Sequence, residues 1–522
     1  MASLDGRRRA VVALLLLAVA GGLLRLALRA EPVALPDAPP GRIACVSYTP
    51  FYRPGESPLD PHVRVSAARI EADLAVLSRR FGCVRTYSVG QGMDQVPAIA
   101  QRDGMQVLLG IWLGRDPAAN AREMTLGIAT ARAHRTAIRA IVVGNEVLLR
   151  GELPASAIAT DLDQVRAATG LPVTYADVWE FWLQHPQLAA HVDFVTIHIL
   201  PYWEDRPVAV GRAVQHVAAV VSQVRAAFPG KPMLIGETGW PSRGRAHQAA
   251  VPSLVNEARF VREFLLYAQQ NHVPYNLIEA FDQPWKRRLE GTVGGYWGLY
   301  DDARQPKFPL HGPVTEDPQA WHALAPAALL ALAFALPAWR RRRPHAWALR
   351  ILAGFGSGLA LAAAWQQLAD GARSALEWVV GSAALAAMVV TVWILTARLA
   401  RWIGDDDAAP AVPVATLMLT RMHCGWLIAL AWLDLLLVFD PRYRDLPLAL
   451  VAPAALGFAL LRIAGLAPAT ARADRRPQLL ALGIVLLATV IVLQERGLNP
   501  WTWAWLGLNL LLGSSLGRIR PV

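Results

Sequence analysis

The chain has 522 residues, 54% of them hydrophobic, with 51 Lys plus Arg against 40 Asp plus Glu and a net charge of +11. That length exceeds one ordinary core, and the charge is unevenly placed: five Arg and one Asp in residues 1–30, 28 basic and 29 acidic residues in 31–322, and 18 Arg with 10 acids in 323–522. A near-neutral middle segment excludes reading the basic excess as a nucleic-acid footprint, so nucleic acid is not an expected partner.

Arg7-Arg8-Arg9 precede an apolar run from Ala10 to Leu24, and Arg25 and Arg29 follow it. Residues 1–30 read as an uncleaved membrane anchor, with a signal-like segment as the alternative. Residues 31–41, with Pro32, Pro36, Pro39 and Pro40, make a stiff extended linker.

From residue 42 to 322 short apolar runs alternate with longer helical patterns. The runs lie at 43–48, 83–87, 106–112, 141–146, 172–176, 193–199, 232–237 and 276–281. Stretches such as Val65 to Arg80 and Val255 to Gln270 carry apolar residues at i, i+3 and i+4. Eight strands with helical crossovers predict a (β/α)8 TIM barrel, which places functional groups at the C-terminal strand ends. A doubly wound sheet would show a Gly-rich first turn, and none is present. Cys45 and Cys83 each sit in an apolar run; they read as two buried thiols, a disulfide staying open in an oxidising compartment.

After Trp321 come seven apolar stretches, at 323–339, 346–364, 375–397, 414–438, 446–464, 478–494 and 500–514. Each is near the roughly 20 residues a bilayer requires, so residues 323–522 read as an all-α transmembrane bundle of about seven helices. If the N-terminal arginines are cytoplasmic, the alternation places Arg340 to Arg343, Arg398, Arg401, Arg462, Arg472, Arg475, Arg476, Arg518 and Arg520 inside. Only Arg373, Arg442, Arg444 and Arg496 then fall in outer loops. The reading is a multi-pass protein of the inner membrane, in contact with lipid, whose 31–322 domain faces the periplasm. Asp434 lies within a span, where snorkelling or a helix–helix hydrogen bond would accommodate it.

Two strings carry the chemistry: Gly144-Asn145-Glu146-Val147 after Ile141-Val142-Val143, and Gly236-Glu237-Thr238-Gly239-Trp240-Pro241-Ser242 after Met233-Leu234-Ile235. A carboxyl at each of two strand ends is what acid/base-assisted cleavage of a glycosidic bond requires, one protonating the leaving oxygen while the other attacks the sugar or activates water. The other strand ends add Tyr48, Arg85, Tyr87, Trp112, Tyr175, Asp177, His198, Phe281 and Asp282. Aromatic faces and polar groups in one ring suit a sugar cleft. The histidines show no metal-ligand spacing, so no metal or other cofactor is expected.

At these residues the domain resembles glycoside hydrolase family 17, the β-1,3-glucanases and related glucanosyltransferases. The likeness spans about residues 42–312 and also rests on Gly298-Leu299-Tyr300-Asp301 running into Gln305-Pro306-Lys307. Membrane-bound bacterial members look similar at Glu279-Ala280-Phe281-Asp282-Gln283-Pro284-Trp285-Lys286. The resemblance implies a retaining mechanism with Glu237 as nucleophile, ionised at rest, and Glu146 as acid/base, its pKa raised enough to hold a proton near neutrality. Asn145 matches the residue that binds the sugar 2-hydroxyl. Plant members carry Asn where His198 stands and Tyr where Leu200 stands, which leaves Tyr202 or His198 to orient the nucleophile.

Further substrate contacts are expected from Tyr48, Arg85, Tyr87, Trp240, Phe281, Asp282, Trp285 and Lys286. The expected function is a membrane-tethered retaining glycosidase acting on β-1,3-glucan outside the cytoplasm. The alternatives are a glucanosyltransferase that remodels, branches or cyclises a periplasmic β-glucan, partnered with a glucan synthase or export complex, and a non-catalytic glucan-binding scaffold.

Overall fold

The computed structural model describes residues 6–338, 343–404, 413–440, 445–467 and 475–516. The chain divides into two compact units, Val33–Val314 and a second that joins Met1–Pro32 to Thr315–Val522.

The first unit is a closed parallel barrel of eight strands. These are β1 (Val46–Ser47), β2 (Cys83–Arg85), β3 (Gln106–Ile111), β4 (Ile138–Asn145), β5 (Val173–Val178), β6 (Val195–His198), β7 (Met233–Thr238) and β8 (Tyr275–Leu277). The expected (β/α)8 architecture stands, and each strand falls on one of the eight apolar runs. Parallel strands closed in a ring bury both faces, which explains the near-continuous apolar runs. Val107, Leu109, Ile141 and Val143 belong to the large cluster that includes the surrounding helices. Their alternates Leu108, Ala140 and Val142 join Ala176, Leu234, Cys45 and Cys83 in a separate cluster inside the barrel.

Cys45 and Cys83 form a disulfide with Cα atoms 4.3 Å apart, which corrects the reading of two free thiols. It staples β1, a strand of two residues, to β2. Side chains two apart share a strand face, so the bond lies one layer beneath Ser47 and Arg85.

Helices cover the barrel with apolar stripes. Val210–Ala227 buries Ala213, Val217, Val220, Val221 and Val224, and Leu254–Gln270 buries Ala258, Val261, Phe264, Leu265 and Ala268. Polar caps fix several helix starts: Ser66 accepts from the amide of Arg69, Asp116 from those of Ala118 and Ala119, and Ser253 from that of Asn256.

The second unit is helical. Gly6–Ala30, Pro344–Gly371, Ala375–Gly404, Leu417–Phe439 and Arg476–Gln494 are long and apolar enough to cross a membrane. Many of their large apolar side chains are exposed, among them Val379, Trp432, Phe439 and Leu493, as contact with lipid would permit. Two expected spans are shorter than read, the stretch at 323–339 forming the helix Leu324–Ala335 and that at 446–464 forming Leu448–Ile463 around Pro453, while Pro500–Ser514 keeps the bounds read for it. At 1.5 Å per residue, helices of this length fall short of a hydrocarbon core of about 30 Å. Asp434 is buried and accepts a hydrogen bond of 2.6 Å from Trp505 Nε1, so a helix–helix bond accommodates it. Arg340 to Arg342, Arg442, Arg444, Arg472, Arg518 and Arg520 lie outside the described residues.

Candidate active site

Local backbone irregularities aim the two glutamates. The β4–β5 register slips between Val142 and Asn145, Gly144 has φ +82° and Glu146 has φ +52°. A left-handed glycine is cheap, whereas Glu146 is held in a strained conformation by the surrounding bonds: its amide donates to Ala176 O at 2.8 Å, and its carbonyl accepts from the amide of Arg150 at 2.9 Å. On β7 a Cβ at Gly236 would meet Thr196 Cγ2 at 2.5 Å and the His198 ring at 3.2 Å, so only glycine lets β6 and β7 close at the site.

Arg85, only 1% exposed, ties the two motifs together. Its Nη1 donates to Glu237 Oε1 at 3.0 Å and to Gly236 O at 2.7 Å, while Nη2 donates to Asn145 Oδ1 at 2.5 Å. Tyr87 donates its hydroxyl to Glu237 Oε1 at 2.7 Å. Tyr202 donates instead to Arg245 O, so the hydroxyl on Glu237 comes from Tyr87. His198 joins the carboxyls, with Nδ1 at 2.8 Å from Glu146 Oε1 and Nε2 at 3.6 Å from Glu237 Oε1.

One oxygen of Glu146, one of Glu237 and a nitrogen of His198 lie within 4.8 Å of one another. Three such groups could cup a cation. Here the guanidinium of Arg85 supplies the positive charge, its Nη1 also standing 3.3 Å from His198 Nε2.

The structure adds two carboxyls that sequence reasoning missed. Glu279, 1% exposed, accepts from Lys286 Nζ at 2.8 Å through both oxygens. Burial pushes its carboxyl up to about 7, with Lys286 opposing and Glu237 adding to the rise. Burial likewise raises Glu290 to about 7, against Lys286 and with help from Glu279, Glu146 and Glu237. Glu279 and Glu290 are both buried beside Lys286, one ammonium for two carboxyls, which favours their proton-bearing forms. Glu279 follows β8 and obeys the same strand-end rule as the motif glutamates; Glu290, on a short helical turn, carried no signal.

The carboxyl of Glu146 departs from expectation. Burial pushes it up, but the His198 hydrogen bond, Arg150 and Arg85 outweigh that, and it rests below its ordinary value. Those groups favour the charged form, which corrects the reading of a raised pKa in the free protein.

Five expected substrate contacts belong to the packed interior. Tyr48 is buried and donates to Asp73 Oδ2, Trp240 is buried and donates to Val251 O, and Tyr202 and Phe281 have no exposed surface. Asp282 accepts from Lys307 Nζ and from the Gly298 amide. These residues carry the barrel's top layer: strand-end position alone does not separate a side chain that turns into the cleft from one that packs under a loop. Trp285 is half-buried with its Nε1 tied to Gln283 Oε1, and Lys286 reaches the cluster through Glu279.

A parallel eight-stranded barrel that carries two converging carboxyls at the ends of β4 and β7, neutralised by a buried arginine, has the form of a glycoside hydrolase. The family model described as the BtgE/BtgC glycoside hydrolase domain matches residues 45–298. Residues 45–298 are thus similar to a glycoside hydrolase domain of this kind, in line with the family 17 likeness of their motifs.

The chain is 27% identical over 264 residues to a probable beta-glucosidase btgE of Aspergillus fumigatus, a match over 49% of this chain and 45% of that protein. It thus spans less than half the length of that relative. It is 25% identical over 268 residues to a glucan 1,3-beta-glucosidase of Candida albicans, covering 46% of this chain and 85% of that one. A glycoside hydrolase family 17 beta-1,3-glucanosyltransferase structure from Rhizomucor miehei is 27% identical, with a TM-score of 0.45, over 51% of this chain and 97% of that chain.

Proposed function

We propose that the barrel is a retaining enzyme acting on β-1,3-linked glucan, with Glu237 as nucleophile and Glu146 as acid/base. The observation that carries this reading is the approach of the two carboxyls, with oxygens within 4.8 Å. Retaining sites hold their carboxyl groups about 5–5.5 Å apart, and inverting sites leave roughly 6.5–9.5 Å for a water. The glucan linkage rests on the relatives and on the motif resemblance.

In the first step a Glu237 oxygen bonds to the anomeric carbon, the glycosidic bond breaks, and the leaving oxygen takes the proton of Glu146. In the second, Glu146 as carboxylate removes a proton from water or a sugar hydroxyl, whose oxygen displaces Glu237. Arg85 and Tyr87 place Glu237 for attack. Asn145, its Oδ1 held by Arg85, keeps an Nδ2 with no acceptor among the described residues to donate to the 2-hydroxyl. Covering the site with sugar removes water from Glu146, which favours its proton-bearing form at the moment the leaving oxygen needs it.

The apolar helices support membrane tethering, and the arginine bias of the loops supports an inner-membrane protein with its barrel in the periplasm. The Cys45–Cys83 disulfide supports the same side, because disulfides persist in oxidising compartments. An enzyme fixed in the membrane beside glucan synthesis or export is suited to transfer as well as hydrolysis, with that machinery as its partner.

The test is to incubate the full-length protein in detergent with reduced laminari-oligosaccharides and resolve the products by mass. Shorter products alone would establish a hydrolase, and products longer than the donor a glucanosyltransferase. Both should vanish in Glu237→Gln; unaltered oligosaccharides with folded wild-type protein would refute the β-1,3 assignment.

A further inference from the structure

Trp112 follows β3 directly and is the one exposed tryptophan of the barrel unit, at 38%. The other tryptophans are engaged: Trp240 packs in the core, Trp203 and Trp297 stack on each other with centroids 6.4 Å apart, and Trp179 and Trp285 spend their Nε1 on Glu204 and Gln283. Trp112 has no acceptor for its Nε1 among the described residues. One face of its ring is covered by the guanidinium of Arg150, whose Cζ lies 4.3 Å from the centroid.

Arg150 itself is locked. It donates to Glu152 Oε2 through Nε at 2.9 Å and Nη2 at 2.7 Å, to Leu113 O at 3.0 Å, and to Asn145 O. It therefore clamps the end of β3 to the end of β4, and its positive charge acts on Glu146. An exposed flat ring with an idle N–H, backed by an arginine that also holds Asn145 O beside Glu146, has the form of a sugar-stacking surface. Glu146 protonates the leaving oxygen, so a sugar beside it is the leaving group in the first step and the acceptor in the second.

We propose that Trp112, held by Arg150, is the platform for the sugar on the acceptor side of the cleft and sets the partition between transfer and hydrolysis; this rests on the β-1,3-glucan reading above. Arg150 is a positioning residue, acting through Trp112 and Asn145.

The experiment compares wild-type, Trp112→Ala and Trp112→Phe full-length protein in detergent, using laminaritetraose as donor and isotope-labelled laminaribiose as acceptor. Labelled transfer products and hydrolysis products are counted by mass across acceptor concentrations. Loss of one stacked ring should lower the transfer-to-hydrolysis ratio in Trp112→Ala by roughly three- to tenfold, with a matching rise in half-saturating acceptor, and Trp112→Phe should recover most of it. An unchanged ratio and half-saturation in Trp112→Ala would overturn the platform. Wild-type protein that hydrolyses without any labelled transfer would overturn the partitioning role, and wild-type protein that leaves laminaritetraose intact would overturn the parent reading instead.

Discussion

His198 Nδ1 stands 2.8 Å from Glu146 Oε1, while its Nε2 stands 3.3 Å from Arg85 Nη1. Both Nη1 hydrogens are given to Glu237 and Gly236; an ionised Glu146 can only accept, so Nδ1 carries the proton that it receives as a hydrogen bond. That bond is the largest influence drawing the acid/base below its ordinary value against the effect of burial.

Removing it should therefore move the acid/base upward. In His198→Ala the alkaline limb of kcat/KM, which falls as the free enzyme's acid loses its proton, should shift to higher pH even as the maximum drops about tenfold or more. The check is a kcat/KM profile on laminari-oligosaccharides from about pH 4 to 9. A limb in the wild-type position would show that His198 does not tune Glu146.

Arg85 gives a second prediction. Lysine can replace its charge but not a fork that reaches Glu237, Gly236 O and Asn145 together. Arg85→Lys should lower kcat/KM by roughly 100-fold, as expected when a preorganised donor at the reacting group is lost. Buried at 1% exposure, the position should also cost about 3 kcal/mol when its partners are left unpaired. Steady-state kinetics and thermal melting separate the two effects, and activity within threefold of wild type would remove Arg85 from the mechanism.

Glu257 predicts a pH dependence of stability rather than activity. Lys307 Nζ lies 3.1 Å from Glu257 Oε2 and 3.0 Å from Asp282 Oδ1, all three groups buried, so one ammonium serves two carboxyls. Asp282 has the Gly298 amide as well, and Glu257 becomes the proton holder: burial pushes it up to about 8, with Lys307 opposing and Asp282 reinforcing. A folded-state value above the unfolded one stabilises fully below about pH 4.5, and that contribution is lost as pH rises toward 8. The melting temperature of wild-type protein should thus decline between about pH 5 and pH 8, and Glu257→Gln should flatten that decline. Parallel declines in the two proteins would assign the pH dependence to other groups.

The eight strands were legible because both faces of each are buried, which leaves an unbroken apolar run. The candidate pair of carboxyls was legible because Gly144, Glu146, Gly236 and Glu237 stand together in two short strings, whose backbone demands explain the glycines. What was not legible depended on side-chain direction. Tyr48 and Tyr87 both follow strands, yet Tyr48 turns to Asp73 and Tyr87 to Glu237. Glu290 arrives from a turn with no periodic pattern. The value of Glu146 was misjudged because His198, Arg150 and Arg85 reach it from residues 52, 4 and 61 positions away, and sequence alone shows no such sum.

The disulfide yields the last prediction. β1 contributes two residues to the barrel and pairs with β2 through Val46–Val84 and Ser47–Arg85, so this seam has little ladder of its own. The Cys45–Cys83 bond closes a loop of 38 residues at that seam and sits one layer below Ser47 and Arg85. Restricting such a loop in the unfolded chain is worth roughly 2–4 kcal/mol. Ser47 Oγ accepts from Asn276 and stands 3.0 Å from the Tyr87 hydroxyl, and Arg85 holds Glu237, so loosening the seam reaches the proposed nucleophile directly. Cys45→Ala with Cys83→Ala should lower the melting temperature of the barrel by several degrees and reduce kcat more than it raises KM, since the nucleophile's placement is disturbed and the exposed cleft walls are not. Melting and steady-state kinetics on the double variant check both parts, and a kcat equal to that of wild type would confine the bond to stability.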